Sequence, residues 1–222
     1  MVNFADQRKN MVESQVRPTD VVDRRIIRAM LEVPREMFVR EDLKALAYID
    51  REVPMNAEGG RNARRLLAPS VHARLIQALE VLEGELALEV GCGTGYGSAI
   101  LARLAQTVVA LEVDQELANR ATTILGELSI DNVAVVVGPL TAGWPSEGPY
   151  DVILVSGAIT EPPKALLDQL KDGGRLAAVL DEGEISRAML WQRSGTTVSS
   201  RALFEAGAPI LPGFERKPEF VF

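Results

Sequence analysis

Short runs of uninterrupted apolar residues alternate along the chain with stretches in which apolar positions recur every three or four residues. The runs are Leu86–Val90, Val108–Leu111, Val133–Val137, Val152–Val155 and Leu176–Leu180. They lack polar alternation, so they predict strands covered on both faces. Between them, Leu117, Ala121, Ile124 and Leu128 share one helical stripe. Ala165, Leu166 and Leu170 share another, begun by Pro162-Pro163 and stopped by Gly173-Gly174. Strands alternating with helices predict a parallel sheet with right-handed crossovers. Near the end, an alternating run around Met189–Trp191, a turn at Ser194-Gly195 and a strand-like run near Val198 predict an antiparallel hairpin at the sheet edge.

The front of the chain reads differently. Val22, Ile26 and Met30 recur every four residues with Ile27 and Leu31 beside them, which predicts a helix with Asp20 as its N-cap and Pro34 as its stop. From Arg51 to Ser70 the periodicity dissolves around Pro54, Gly59-Gly60, Arg61, Arg64 and Arg65. A loop this long in a compact domain is a candidate lid or acceptor-binding element, or else a solvated connection. After it, Val71, Leu75, Ile76 and Leu79 predict a helix running to Gly84. The expected architecture is therefore α/β, with a doubly wound, mostly parallel seven-stranded sheet, an antiparallel edge hairpin and an N-terminal helical extension. Residues 1–70 form the helices and acceptor-side loop, residues 71–222 form the core, and the two make one structural unit.

Composition narrows the possible partners. At 222 residues and 47% apolar, the chain can bury one sizeable core. Its 31 acidic residues outnumber 24 basic ones, for a net charge of -7, which argues against binding a nucleic-acid backbone. The single cysteine permits no internal disulfide, the first residues lack the apolar run of a signal peptide, and charged residues interrupt every hydrophobic stretch. The expected setting is cytoplasmic, with no membrane and no nucleic-acid partner. No spacing of ligand residues suggests a metal, and composition says nothing of oligomeric state.

Candidate chemistry centres on Glu89-Val-Gly-Cys-Gly-Thr-Gly95. Glycines allow a sharp strand-to-helix turn and a close approach of backbone to ligand. In nicotinamide enzymes the pattern is G-x-G-x-x-G, and the loop meets a pyrophosphate. Here the third glycine comes one residue early, and Glu89 precedes the loop. A carboxylate at that mouth repels pyrophosphate and suits a cofactor with a positive amino group and a sulfonium. The expected cofactor is S-adenosylmethionine, held by Glu89, Gly91, Cys92, Gly93, Thr94 and Gly95. Glu112, closing the next strand, is placed to accept the ribose hydroxyls. Cys92 has no second cysteine or nearby histidine, so it reads as a small packing residue.

From about Asn10 to Leu180 the chain resembles the protein-L-isoaspartate O-methyltransferases. The resemblance is carried by Met11–Gln15, Val33–Val39, Ala47–Arg51, Leu88–Tyr96, Gly143–Pro145, Tyr150–Val155 and Leu170–Arg175. It implies methylation of a carboxylate of damaged aspartyl residues, with a protein or peptide carrying isoaspartate as partner, and it adds Val113 and Leu140 to the cofactor set. Two segments depart from the family. Its usual Gly-Gln-Thr-Ile-Ser loop is replaced by Ala63-Arg-Arg-Leu-Leu67, and its usual Gly-Asp-Gly by Gly138-Pro139-Leu140. Arg64, Arg65, Leu67 and Ser156 fall on the acceptor side, where either arginine is placed to recruit an anionic acceptor. Equally, they form a basic solvated loop. A carboxylate acceptor needs no general base, and no catalytic residue is assigned; the lone His72 reads as structural. Two other readings stay open, a methyltransferase with a different acceptor and a noncatalytic S-adenosylmethionine-binding relative, with a nicotinamide oxidoreductase last.

Overall fold

The computed structural model describes residues 3–56 and 64–216. Gly59, Gly60 and Arg61, part of the predicted loop, lie outside the described residues. Val53–Pro54 (β1) and Arg65–Leu66 (β2) pair as a short antiparallel ladder within the segment expected to be irregular. The remaining strands are Leu86–Val90 (β3), Thr107–Glu112 (β4), Val133–Val137 (β5), Tyr150–Ile159 (β6), Leu170–Asp181 (β7), Ser186–Ser194 (β8) and Thr197–Glu205 (β9). They form one seven-stranded sheet in the order β5-β4-β3-β6-β7-β8-β9, parallel through β7 and antiparallel from β7 to β9. The expected doubly wound sheet with an edge hairpin is the observed one, and Gly195, at φ +57°, closes the hairpin.

Although the central runs are continuously apolar, their side chains alternate between faces because successive Cβ atoms point to opposite sides of a strand. Val152 and Leu154 of β6 join one core layer with Ala87, Val108, Ala177 and Val179. Ile153 and Val155 join the other with Leu88, Val109, Leu111 and Leu176. The first layer is covered by helices Phe4–Met11 (α1), Arg24–Glu32 (α2), Pro69–Ala78 (α3) and Tyr96–Leu101 (α4), which contribute Met11, Ile26, Met30, Leu75, Ile76 and Ile100. The helices Gln115–Glu127 (α5) and Lys164–Leu167 (α6) complete the described set. No described helix is long and apolar enough to cross a membrane.

Several predicted boundaries move. The N-cap of α2 is Asp23, whose carboxylate accepts from the Arg25 amide at 2.8 Å, whereas Asp20 sits in the left-handed region after a 3₁₀ turn. Val22 precedes that cap and is 78% exposed, so it is not part of the buried stripe. Helix α3 ends at Ala78, short of Gly84. Leu170 begins β7 rather than ending a helix, and Gly173-Gly174 lie inside that strand at an irregularity in its pairing with β6. A helix of a single turn leaves too few positions for periodicity to separate it from the strand that follows.

Candidate functional site

β3 delivers the chain into Gly91–Gly95, where the amides of Gly91 and Cys92 both donate to the Leu111 carbonyl, at 2.8 and 3.1 Å. That fold-back across the end of β4 holds Gly91 at φ +76°, a conformation that L side chains resist. Thr94 donates its hydroxyl to the Phe38 carbonyl at 2.5 Å, tying the loop to the N-terminal region. Cys92 is buried, and burial pushes its thiol well above the ordinary range, in keeping with a packing role.

Two buried carboxylates flank this loop. Glu112, at the end of β4, accepts from the amides of Val113 and Asp114 on Oε1, at 2.8 and 3.2 Å, and from the Gly93 amide on Oε2 at 2.7 Å. Glu89, within β3, accepts from the hydroxyls of Ser98 and Ser156, the latter at 2.5 Å. Burial pushes the Glu89 carboxyl up to about 7, against the pull of its two hydroxyl partners. Ser156 lies inside β6 rather than beyond its end, because the strand continues through Ile159.

Arg64 does not face the acceptor side. Its Nη2 donates to Glu112 Oε2 at 2.8 Å and to the Gly91 carbonyl at 3.1 Å, deep in the glycine loop. The Arg64 guanidinium, expected to be placed for an anionic acceptor, is held here by the nearest buried negative charge. A Cβ on Gly91 would lie 2.9 Å from Leu211 and 3.1 Å from Arg64, and one on Gly93 would strike Met55. These side chains fill the space that the bare glycines leave. A cavity of about 10 Å³ remains, lined by Met55, Arg65, Leu67, His72, Glu89 and Ser156 among others. Arg65, Leu67 and Ser156 thus line one cavity. Val113 is partly exposed after β4, and Leu140 is buried in a 3₁₀ turn that Pro139 opens.

Sequence reasoning missed Arg35 and Leu211. Arg35 is fully buried and donates to the carbonyls of Ala47 and Leu67, both at 2.6 Å, with its guanidinium carbon 4.8 Å from the centre of the Tyr96 ring. It fixes the backbone at Ala47 and Leu67, and its only sequence signal is its place in the Val33–Val39 block. Leu211 arrives from beyond the edge hairpin, where its amide donates to the Ala158 carbonyl at 2.9 Å. His72 is buried with neither ring nitrogen hydrogen-bonded, and burial beside Arg35 lowers its pKa to about 3. It is neutral at pH 7. Gly97 must be bare because a Cβ there would strike both Glu89 and His72.

The donor set fits a ligand with hydroxyls and a positive charge. Glu112 and the Gly91 carbonyl already hold a guanidinium, and Glu89 adds a second acid beside them. Among the described residues, no group of three or more His, Cys, Asp or Glu is arranged to hold a metal ion.

A family model described as protein-L-isoaspartate(D-aspartate) O-methyltransferase matches residues 6–205. The chain is 41% identical over 176 residues to a protein-L-isoaspartate O-methyltransferase 1 of Syntrophobacter fumaroxidans, covering 79% of this chain and 80% of that one. It is 36% identical over 222 residues to a protein-L-isoaspartate O-methyltransferase of Herpetosiphon aurantiacus, covering 97% and 96% of the two chains. A solved structure titled protein-L-isoaspartate O-methyltransferase superposes with a TM-score of 0.82 at 27% identity, over 93% of this chain and 66% of that one.

Proposed function

This chain belongs to the protein-L-isoaspartate(D-aspartate) O-methyltransferase family of S-adenosylmethionine-dependent enzymes, and from that premise we propose that it methylates a carboxylate of damaged aspartyl residues in proteins or peptides. Bound S-adenosylmethionine supplies an electrophilic methyl group on a sulfonium. That methyl group would pass to a carboxylate oxygen of the acceptor, and the residues around Gly91–Gly95 would hold the donor for it. The acceptor is ionised at neutral pH, so no proton must be removed. This agrees with a lone histidine held neutral.

The chain's own task is alignment, which supplies much of the rate in such a displacement. Glu112 would accept from the ribose hydroxyls, while the Gly91 carbonyl and Glu89 would hold the positively charged end of the donor. Cys92, Gly93, Thr94 and Gly95 shape the loop, and Val113 and Leu140 flank the adenine side. Arg65, Leu67 and Ser156 border the acceptor's approach, with Arg35 positioning Leu67. The observation that carries this reading is the pair of buried carboxylates, Glu89 and Glu112, set around the loop Gly91–Gly95. A cytoplasmic setting belongs to the same reading, since a chain with one cysteine does not rely on internal disulfides.

Incubation with methyl-labelled S-adenosylmethionine and a matched pair of aspartyl and isoaspartyl peptides tests it. Label on the isoaspartyl peptide alone is expected. Label on neither peptide, with S-adenosylmethionine bound, overturns the acceptor and favours either a different one, for which Leu67 and Arg65 at the cavity wall are the supporting residues, or a noncatalytic relative.

A further inference from the structure

We propose that Arg64 is a built-in competitor of the methyl donor, seated where the donor's ribose and amino group belong, so that the donor binds by displacing it. The inference rests on the donor assignment above. Both acceptors of the Arg64 guanidinium, Glu112 Oε2 at 2.8 Å and the Gly91 carbonyl at 3.1 Å, are groups assigned above to the donor. The bare face of Gly91 is filled by Arg64 and Leu211, and that of Gly93 by Met55. A cavity of about 10 Å³ bordered by Glu89, Gly91 and Cys92 lies beside this seat and holds one water. A hydroxyl on Glu112 Oε2 or an amino group on the Gly91 carbonyl meets the Arg64 guanidinium already there, so donor binding requires that guanidinium to leave.

The pairing is built to be released. Arg64 Nε is buried with no hydrogen-bond partner, so the guanidinium is incompletely satisfied in its seat. The backbone of Arg64 is meanwhile fixed, its amide donating to Asn56 Oδ1 at 3.0 Å and its carbonyl accepting from the Met55 amide at 2.8 Å. Displacement asks only for rotation of the side chain about a held main chain. A ligand that binds one of two states has its apparent affinity lowered by the fraction of time the other state is occupied. Arg64 thus makes the free enzyme self-satisfied and weakens its hold on the donor, without touching the reacting atoms.

Titration calorimetry of S-adenosylmethionine into the unaltered protein, Arg64→Ala and Arg64→Gln reads this directly. Both variants are expected to bind about tenfold more tightly than the unaltered protein, and saturating donor is expected to raise their melting temperatures by more. Arg64→Ala leaves Glu112 buried without a counter-charge; if it does not fold, Arg64→Gln, which keeps a donor for the carboxylate, decides the question. Equal or weaker binding by the folded variants overturns the competitor role while leaving the donor assignment intact. Absence of binding to all three proteins overturns the donor assignment and the inference with it.

Discussion

Glu89 and His72 make opposite demands on pH. Burial raises the Glu89 carboxyl from 4.5 to about 7, so between those values the folded chain keeps a proton that the unfolded chain has lost. The stability it contributes is complete below pH 4.5 and is lost as pH rises through about 7. His72 is lowered from 6.5 to about 3, so the unfolded chain holds the extra proton. Its contribution is present above pH 6.5 and is lost as pH falls through about 3. From pH 4.5 to 6.5 the two slopes oppose each other, each at most ~1.4 kcal/mol per pH unit. Glu89→Gln is therefore expected to make stability rise more steeply with pH in that window, and His72→Gln to make it fall. Urea unfolding midpoints measured across the window check this, and profiles parallel to the unaltered chain's contradict it. Leu67, where the resemblance leads one to expect serine, is buried with its carbonyl held by Arg35. Leu67→Ser exchanges packing for a buried hydroxyl and is expected to cost about 3 kcal/mol by the same assay.

Among elements, the short ladder of β1 and β2 depends on side chains from elsewhere. Arg120 of α5 donates to the Met55 carbonyl at 2.7 Å and to the Val39 carbonyl at 3.2 Å, clamping the ladder and the segment before it onto the core. Arg120→Ala is expected to speed amide exchange at Met55 about tenfold with little change at β3, because the loss opens the ladder locally. Equal acceleration in β3 would show that Arg120 supports the whole fold instead. This ladder was illegible in the sequence, since two residues per strand carry no periodicity, and proline occupies one of the four positions. The far half of β6 was hidden for a related reason: Ser156, Gly157 and Ala158 interrupt the apolar run, although backbone pairing continues. The glycine loop was legible because its chemistry is local, with strand, turn and helix following one another. Arg64 on Glu112 and Leu211 on Gly91 were not, because each joins residues far apart in sequence.

Across the chain, the N-terminal helices share a core layer with the sheet. Met11, Val16, Ile26, Met30 and Phe38 pack in the same layer as Leu75, Tyr96 and Val152. A chain beginning at Val53 would expose that layer, and it is expected to bind a hydrophobic dye and to lose near-UV dichroism while keeping secondary structure. Unchanged near-UV dichroism would show that the sheet supports itself. The α/β order was readable from alternation alone, and it brings Glu89 and Glu112 to neighbouring central strands near their carboxyl ends, where open α/β sheets bind ligands. We assign these two acids and the loop between them to the methyl donor. In a crystal structure of the protein with S-adenosylhomocysteine, the ribose hydroxyls are expected on Glu112 with the Arg64 guanidinium displaced; a nucleoside bound elsewhere, with Arg64 still paired to Glu112, would overturn the assignment.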